Sequence, residues 1–352
     1  MRETVWNILS EGAEIVSPAA LQPADVLLDL YGEDIRARAY TTYDPVLGEM
    51  MLRPDFTVPV VQMHMARGVE PGRYAYRGAV WRKQTAQSAR PREYDQIGLE
   101  IFDGSDPALA EADVYARVYN ALDAVLAVEK LSFVAGDVGL MRAAVGSLAT
   151  SELRRTALLR HLWRPARFNA LLARFAGEAM QPEGRDQLPV ANKREAITSA
   201  GPIVGLRSVE NVEMRIQRLL DDKTQPKVPR EQITALRSLQ ALKVPLEDAP
   251  DALNPLSEPL HLVSSAIQKL RTTLGALSDA GVDTSRIQFE GRYGLTAMEY
   301  YDGFVFGIAH GERLLATGGR YDALTAVLGG GAEMAAVGAV IRPGEVSEVG
   351  DG

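Results

Sequence analysis

The chain has 352 residues, 46% of them hydrophobic, and its 38 Lys+Arg against 46 Asp+Glu give a formal net charge of -8. It is long enough to bury a sizeable core, as one large domain with an insertion or as two domains. It carries no global positive field that would draw it to a phosphate backbone or an anionic bilayer, so neither a nucleic acid nor a membrane is expected as a partner. Cysteine is absent, which excludes disulfides, thiolate metal sites and cysteine nucleophiles and agrees with a reducing compartment.

The opening stretch MRETVWNILSEGAEIVSP has no uninterrupted apolar segment, and no later window approaches the ~20 apolar residues that a bilayer-spanning helix needs. A soluble, cytoplasmic protein is expected. In chain order, ARAYTTYD and EMMLRPD flank the turn-rich PVLG and predict a β-hairpin. RYAYRGAVWRK and EYDQIGLEIFD alternate in the same way around a polar loop, and these segments together predict an antiparallel sheet with one buried face. ALAEADVYARVYNALDAVLAVEK places Val114, Val118, Leu122 and Val125/Leu126 at helical spacing, predicting a long amphipathic helix packed on that sheet. LSFVAGDVG returns as a strand.

From about residue 139 to 283 the chain changes character, and helices are predicted at SELRRTALLRHLW, VENVEMRIQRLLDD, REQITALRSLQALK and HLVSSAIQKLRTTLGALSDAG, with polar linkers between them. The β pattern then resumes in RIQFEGRYGL, YYDGFVFGIA, RLLATGG and AAVGAVIRP. The plan is α+β, one antiparallel sheet interrupted in sequence by a helical excursion.

Three places could carry chemistry. Asp55 sits at a strand end and Thr57 is placed to cap a helix beginning near Val58; the alternative is that Asp55 partners an amine in a pocket there. Arg82 alternates with Val80 and Gly78 on a face that is otherwise apolar, where an arginine needs a carboxylate, phosphate or π partner. Gln96, Gly98 and Glu100 share one face of the neighbouring strand, with Gly98 leaving floor space for a ligand. An internal Arg82–Glu100 pair filling a small core is the competing reading. Tyr300 and Tyr301 are predicted to open a strand, and TGGRYD is a strand-to-helix turn whose glycines let backbone approach a ligand. The histidines His64, His161, His261 and His310 are too far apart in sequence for metal-ligand spacing and are read as structural. No metal and no cofactor is expected.

The ordered set LRPDFT, YRGAVWRKQ…RPREYDQIGLE, EYYDGFVF and GGRYDAL…AAVGAVI resembles the class II aminoacyl-tRNA synthetase core in its histidyl-tRNA synthetase version. GAEIVSPAAL, around Pro18, looks like the dimer-forming first motif. The match covers about residues 10 to 138 and 285 to 342, and several motifs in one order are far more specific than any one of them. The resemblance implies a mostly antiparallel six-stranded sheet flanked by helices, and a homodimer. It divides the chain into a first part of the core (1–138), a helical insertion with connecting helices (139–283) and a second part of the core (284–352), with the synthetase's anticodon-binding domain expected to be missing.

The departures from that pattern concern nucleotide chemistry. Gln84 stands where the synthetases have a glutamate for the adenine amine, Thr296 where they have an arginine that assists activation, and Glu345 where an arginine neutralises the ATP phosphates. A carboxylate at that last position repels a triphosphate. The family's histidine contacts fall on Asp55, Thr57, Arg82, Gln96, Glu100, Tyr300 and Tyr301, all of suitable type. Nucleotide chemistry lost and a histidine-shaped site kept is similar to the regulatory subunits of ATP phosphoribosyltransferase, paralogues of the synthetase. That resemblance implies a non-catalytic subunit that joins a short-form catalytic subunit, activates it and transmits histidine feedback. The alternatives are a divergent histidyl-tRNA synthetase and a synthetase-like amino-acid sensor.

Overall fold

A computed structural model describes residues 1–68, 71–85, 88, 90–182, 184–202, 204–205, 207–295 and 300–350. The alternating segments form β1 (Glu14–Ile15), β2 (Leu21–Pro23), β3 (Thr41–Asp44), β4 (Gly48–Leu52), β5 (Gly72–Trp81), β6 (Glu93–Phe102), β7 (Ser132–Asp137), β8 (Lys243–Pro245), β9 (Ile287–Glu290), β10 (Phe304–His310), β11 (Arg313–Arg320) and β12 (Ala336–Ile341). Nine of them make one sheet in the order β1-β5-β6-β12-β11-β10-β7-β9-β8, and β2-β4-β3 make a second. This corrects the expected six-stranded antiparallel sheet. The run from β5 to β7 is antiparallel throughout, but β1 joins β5 in parallel and β9 joins β7 in parallel, which makes the sheet mixed. β1 and β8 are only two and three residues long, too short for alternation to declare them, whereas β9 falls within the predicted RIQFEGRYGL segment. The predicted hairpin is present as β3–β4, but it belongs to the small sheet.

Cross-strand register fixes which residues share a face. Glu100 lies opposite Tyr74 and Gly338, Gly98 opposite Tyr76 and Val340, and Gln96 opposite Gly78. Directly opposed residues point to the same side of an antiparallel sheet. A Cβ on Gly338 would fall 1.5 Å from Glu100 Oε2, and one on Gly98 would fall 2.4 Å from the Tyr76 ring. The floor is bare so that large polar side chains can lie across it.

The other face is covered by the Pro107–Asp123 helix. Asp106 starts it by accepting the Leu109 N–H, and Pro107 at its first position has no N–H to leave unsatisfied. Its stripe Val114, Val118 and Leu122 is completely buried, each side chain contributing roughly 1.5–3 kcal/mol. Tyr115 meets Phe306 of β10 edge-on, with centroids 4.8 Å apart. The predicted helices of the middle region appear as Glu152–Arg160, Val209–Thr224, Arg230–Ala241 and Val263–Asp279, and the Pro165–Ala176 helix joins them. Buried Arg154 ties three of these segments together: it pairs with Asp222 at 2.6 Å and lies over the Phe175 ring at 4.8 Å.

Candidate functional site

The site is built where β5, β6 and β12 run side by side beneath the start of the Thr57–Arg67 helix. Glu100 is its centre. The carboxylate is 1% exposed and accepts three hydroxyl donors: Thr57 Oγ1 and Tyr76 OH each donate to Oε1 at 2.8 Å, and Tyr321 OH donates to Oε2 at 2.6 Å. Burial pushes its pKa up to about 7, against the three hydroxyls, which pull it down. Tyr76 is held in place by stacking on Phe56 at 4.4 Å.

Asp55 is buried beside this group, and its Oδ1 accepts the Val58 N–H at 3.3 Å. Burial raises its pKa, and the Arg82 charge opposes that rise. Thr57 is therefore not the cap that its position suggested. It is the first residue of the helix, Phe56 standing at the capping position with no side-chain cap hydrogen bond, and its hydroxyl donates to the buried Glu100 carboxylate.

Arg82 follows β5 by one residue and continues the ladder, its N–H reaching Arg92 O at 2.9 Å, while Nε donates to Pro54 O at 2.8 Å. Its charge acts on Asp55, and Glu100 is satisfied by hydroxyls, so the two do not form the core-filling pair that the alternation left open. Gln96 is 1% exposed and its Oε1 has no hydrogen-bond partner among the described residues. An unsatisfied buried acceptor costs about 1–3 kcal/mol. The floor space expected above Gly98 is taken by the phenol of Tyr76, its cross-strand partner on β5.

Tyr300 and Tyr301 do not open a strand; β10 begins at Phe304, because Asp302 turns away to accept the backbone N–H groups of Asp322 and Ala323. The two rings lie 5.1 Å apart, and Tyr300 is 5.9 Å from Tyr321. Tyr301 is buried and near enough to Glu100 for burial first, and that carboxylate second, to raise its pKa. Thr57 and Glu100 thus touch, Asp55 and Arg82 act on one another, Gln96 shares the Glu100 face, and the tyrosine pair joins through Tyr321. Thr296 lies outside the described residues. Glu345 sits on the Pro343–Gly350 helix, paired with Arg313 at 3.2 Å.

Tyr76 and Tyr321, whose phenols donate to Glu100, were not among the residues singled out from the sequence. Tyr76 stands at the even positions of β5 with Gly78, so alternation carried a signal for it. Tyr321 had none beyond its place in TGGRYD. A surface cavity of about 650 Å³, lined by Ser147, Arg155, Gln232 and His261 among others, lies between helices of the middle region and contains none of these groups. Among the described residues no group of three or more His, Asp or Glu is arranged to hold a metal ion, and no helix is long and apolar enough to cross a membrane.

The histidyl-tRNA synthetase family pattern matches residues 1–222 and 209–346. An ATP phosphoribosyltransferase regulatory subunit from Mesorhizobium japonicum is 31% identical over 344 residues, which cover 89% of this chain and 87% of that protein. The chain belongs to the ATP phosphoribosyltransferase regulatory subunit family. A member from Brucella canis is 30% identical over 336 residues, covering 90% of this chain and 88% of its own length. Among solved structures, an ATP phosphoribosyltransferase regulatory subunit/histidyl-tRNA synthetase from Bacillus halodurans covers all of this chain and 79% of its own with a TM-score of 0.67 at 20% identity. A histidyl-tRNA synthetase from Nostoc gives 0.65 at 17% identity. These structural likenesses establish the class II synthetase-like fold.

Proposed function

We propose that the chain is a non-catalytic regulatory subunit of ATP phosphoribosyltransferase, which joins a short-form catalytic subunit in a hetero-oligomer, activates it and mediates histidine feedback in the first step of L-histidine biosynthesis. The observation that carries this reading is the coincidence of near full-length similarity to regulatory subunits with a polar site of histidine-binding type in which Thr296 replaces the synthetases' activating arginine and Glu345 their phosphate-facing one. In this reading the histidine carboxylate meets Arg82, the α-ammonium meets Asp55 and the unpartnered Gln96 oxygen, and an imidazole N–H meets Glu100. Tyr300 and Tyr301 pack the ring, and Thr57 orients Glu100. Residues 139–283 act as a helical insertion between two parts of one core, and the chain works in the cytoplasm as a homodimer through the region of Pro18. Exposed Ile15, Leu21, Tyr43, Val46 and Leu47 give that region apolar surface to bury.

Feedback requires histidine to bind one arrangement of the complex better than another, a coupling of typically ~1–3 kcal/mol. Glu100→Gln replaces a charge-assisted acceptor by a neutral amide at nearly constant volume. The loss, roughly 1.5–3 kcal/mol, is expected to move histidine inhibition of the assembled complex to at least about tenfold higher concentration, with assembly and activation kept. Unchanged inhibition in a well-folded complex would place the feedback site elsewhere. A variant that melts early and assembles poorly would give Glu100 a purely structural role.

A further inference from the structure

The Glu152–Arg160 and Pro165–Ala176 helices meet at a corner of four residues, and Pro165, which has no N–H to leave unsatisfied, opens the second helix. Leu158, Leu162, Phe168 and Leu172 are at most 2% exposed, so apolar side chains take the inner face and the corner turns its charged ones to water. Between Glu152 and Ala176 stand six arginines and one glutamate, in a chain whose net charge is -8. Arg154 is buried on Asp222, and Arg155 holds the glutamate, Glu152. Arg160, Arg164 and Arg167 are exposed around half-buried Trp163, and among the described residues no carboxylate pairs with Arg160 or Arg167.

Beside this corner a groove opens between the middle region and the large sheet. A cavity of about 300 Å³ is lined by Leu162, Pro165 and Phe168 of the corner together with Gln240, Arg292 and Tyr293. A second, of about 280 Å³, shares Gln240 and Arg292 with it and reaches Arg237. Arg292 is exposed, and among the described residues its guanidinium meets only Gln240 Oε1, at 3.5 Å. Glu290, a carboxylate on the same wall, is held by Lys243 at 2.8 Å, so the groove adds positive charge to that of the corner. Tyr293 links the groove to the site already described. A Cβ on Gly307 would fall 1.9 Å from its hydroxyl. Gly307 pairs with Thr317, Thr317 with Val340 and Val340 with Gly98, so that phenol lies on the sheet face that carries Gln96 and Glu100.

We propose that the arginine corner and its groove form the surface that docks a carboxylate-rich segment of the catalytic subunit, with Arg160, Arg167 and Arg292 meeting its carboxylates. This rests on the reading of the chain as a regulatory subunit. Arginine and tryptophan are the residues on which protein–protein binding energy concentrates, and a planar guanidinium meets a carboxylate through two parallel hydrogen bonds. A basic patch on an acidic chain also selects its partner, since this chain's own acidic surface repels an acidic protein everywhere else. Tyr293 gives the docked segment a wall in common with the Glu100 face, a short path between assembly and the histidine site.

The test is sedimentation of the full chain with a short-form catalytic subunit at low and high salt, for wild type, for Arg160→Gln/Arg167→Gln/Arg292→Gln and for the same three positions changed to Glu. Wild-type assembly is expected to weaken as salt rises. The glutamine variant is expected to weaken assembly by about tenfold or more and the glutamate variant further, with melting temperature and histidine binding unchanged; the glutamine variant keeps the test open if the glutamate one does not fold. Undiminished assembly of a folded variant, or wild-type assembly indifferent to salt, would overturn the docking surface while leaving the regulatory reading in place. A folded RNA bound by wild type and lost by variants that assemble normally would also overturn it, giving the corner to nucleic acid. Failure of wild type to assemble at all would overturn the regulatory reading and the docking surface with it.

Discussion

Purified protein supplied with histidine, ATP and labelled pyrophosphate is expected to exchange no label above the enzyme-free background. Adenylation demands positive charge where the triphosphate and the attacking carboxylate meet. The synthetases' two arginines there are Thr296 and Glu345 in this chain, and Glu345 is spent on Arg313. Losing one such stabilising donor typically lowers turnover by about 10²–10³, so two losses predict a fall of roughly 10⁴ or more. Gln84, which accepts the Ser88 hydroxyl at 3.2 Å, stands where a glutamate would hold the adenine amine. Histidine-dependent exchange clearly above background would return the chain to the enzymes.

Arg320→Ala is expected to cost about 3–5 kcal/mol of stability, read by urea unfolding, because it breaks a buried ion network. Arg320 is 8% exposed and Glu111 5%. The guanidinium pairs with Glu111 through Nε, with Asp322 at 2.9 Å and with Pro107 O at 2.7 Å. Without it Glu111, whose pKa burial already raises, keeps only the Thr273 hydroxyl among the described residues. Tyr321 follows directly and reaches Glu100, so the same change should loosen the site. Arg320→Lys keeps the charge without the fork and should lose less. A cost under about 1 kcal/mol for the alanine variant would mean that the network contributes little to the fold.

What the sequence disclosed was what local periodicity can report. β5, β6 and the Pro107–Asp123 helix are long enough to show their periods, and the even positions of β6 identified Gln96 and Glu100 correctly as sharing a face. Strand number was not legible, because β1 and β8 contain two and three residues. The partners of Glu100 were hidden for a different reason. Thr57, Tyr76 and Tyr321 lie 43, 24 and 221 residues away in sequence, and only register and topology bring them to one carboxylate. Thr57 illustrates the conflict: its local position predicts a helix cap, and a tertiary partner takes the hydroxyl instead.

As proposed above, this chain regulates a catalytic subunit and reports histidine to it. The most direct measurement is the turnover of a short-form ATP phosphoribosyltransferase catalytic subunit, alone and after assembly with this chain, across a histidine titration. The expected result is a stable hetero-oligomer with turnover well above that of the isolated catalytic subunit, suppressed by histidine in wild-type complex and suppressed only at higher histidine with Glu100→Gln. Absence of a complex, or a complex whose turnover neither rises on assembly nor responds to histidine, would contradict it.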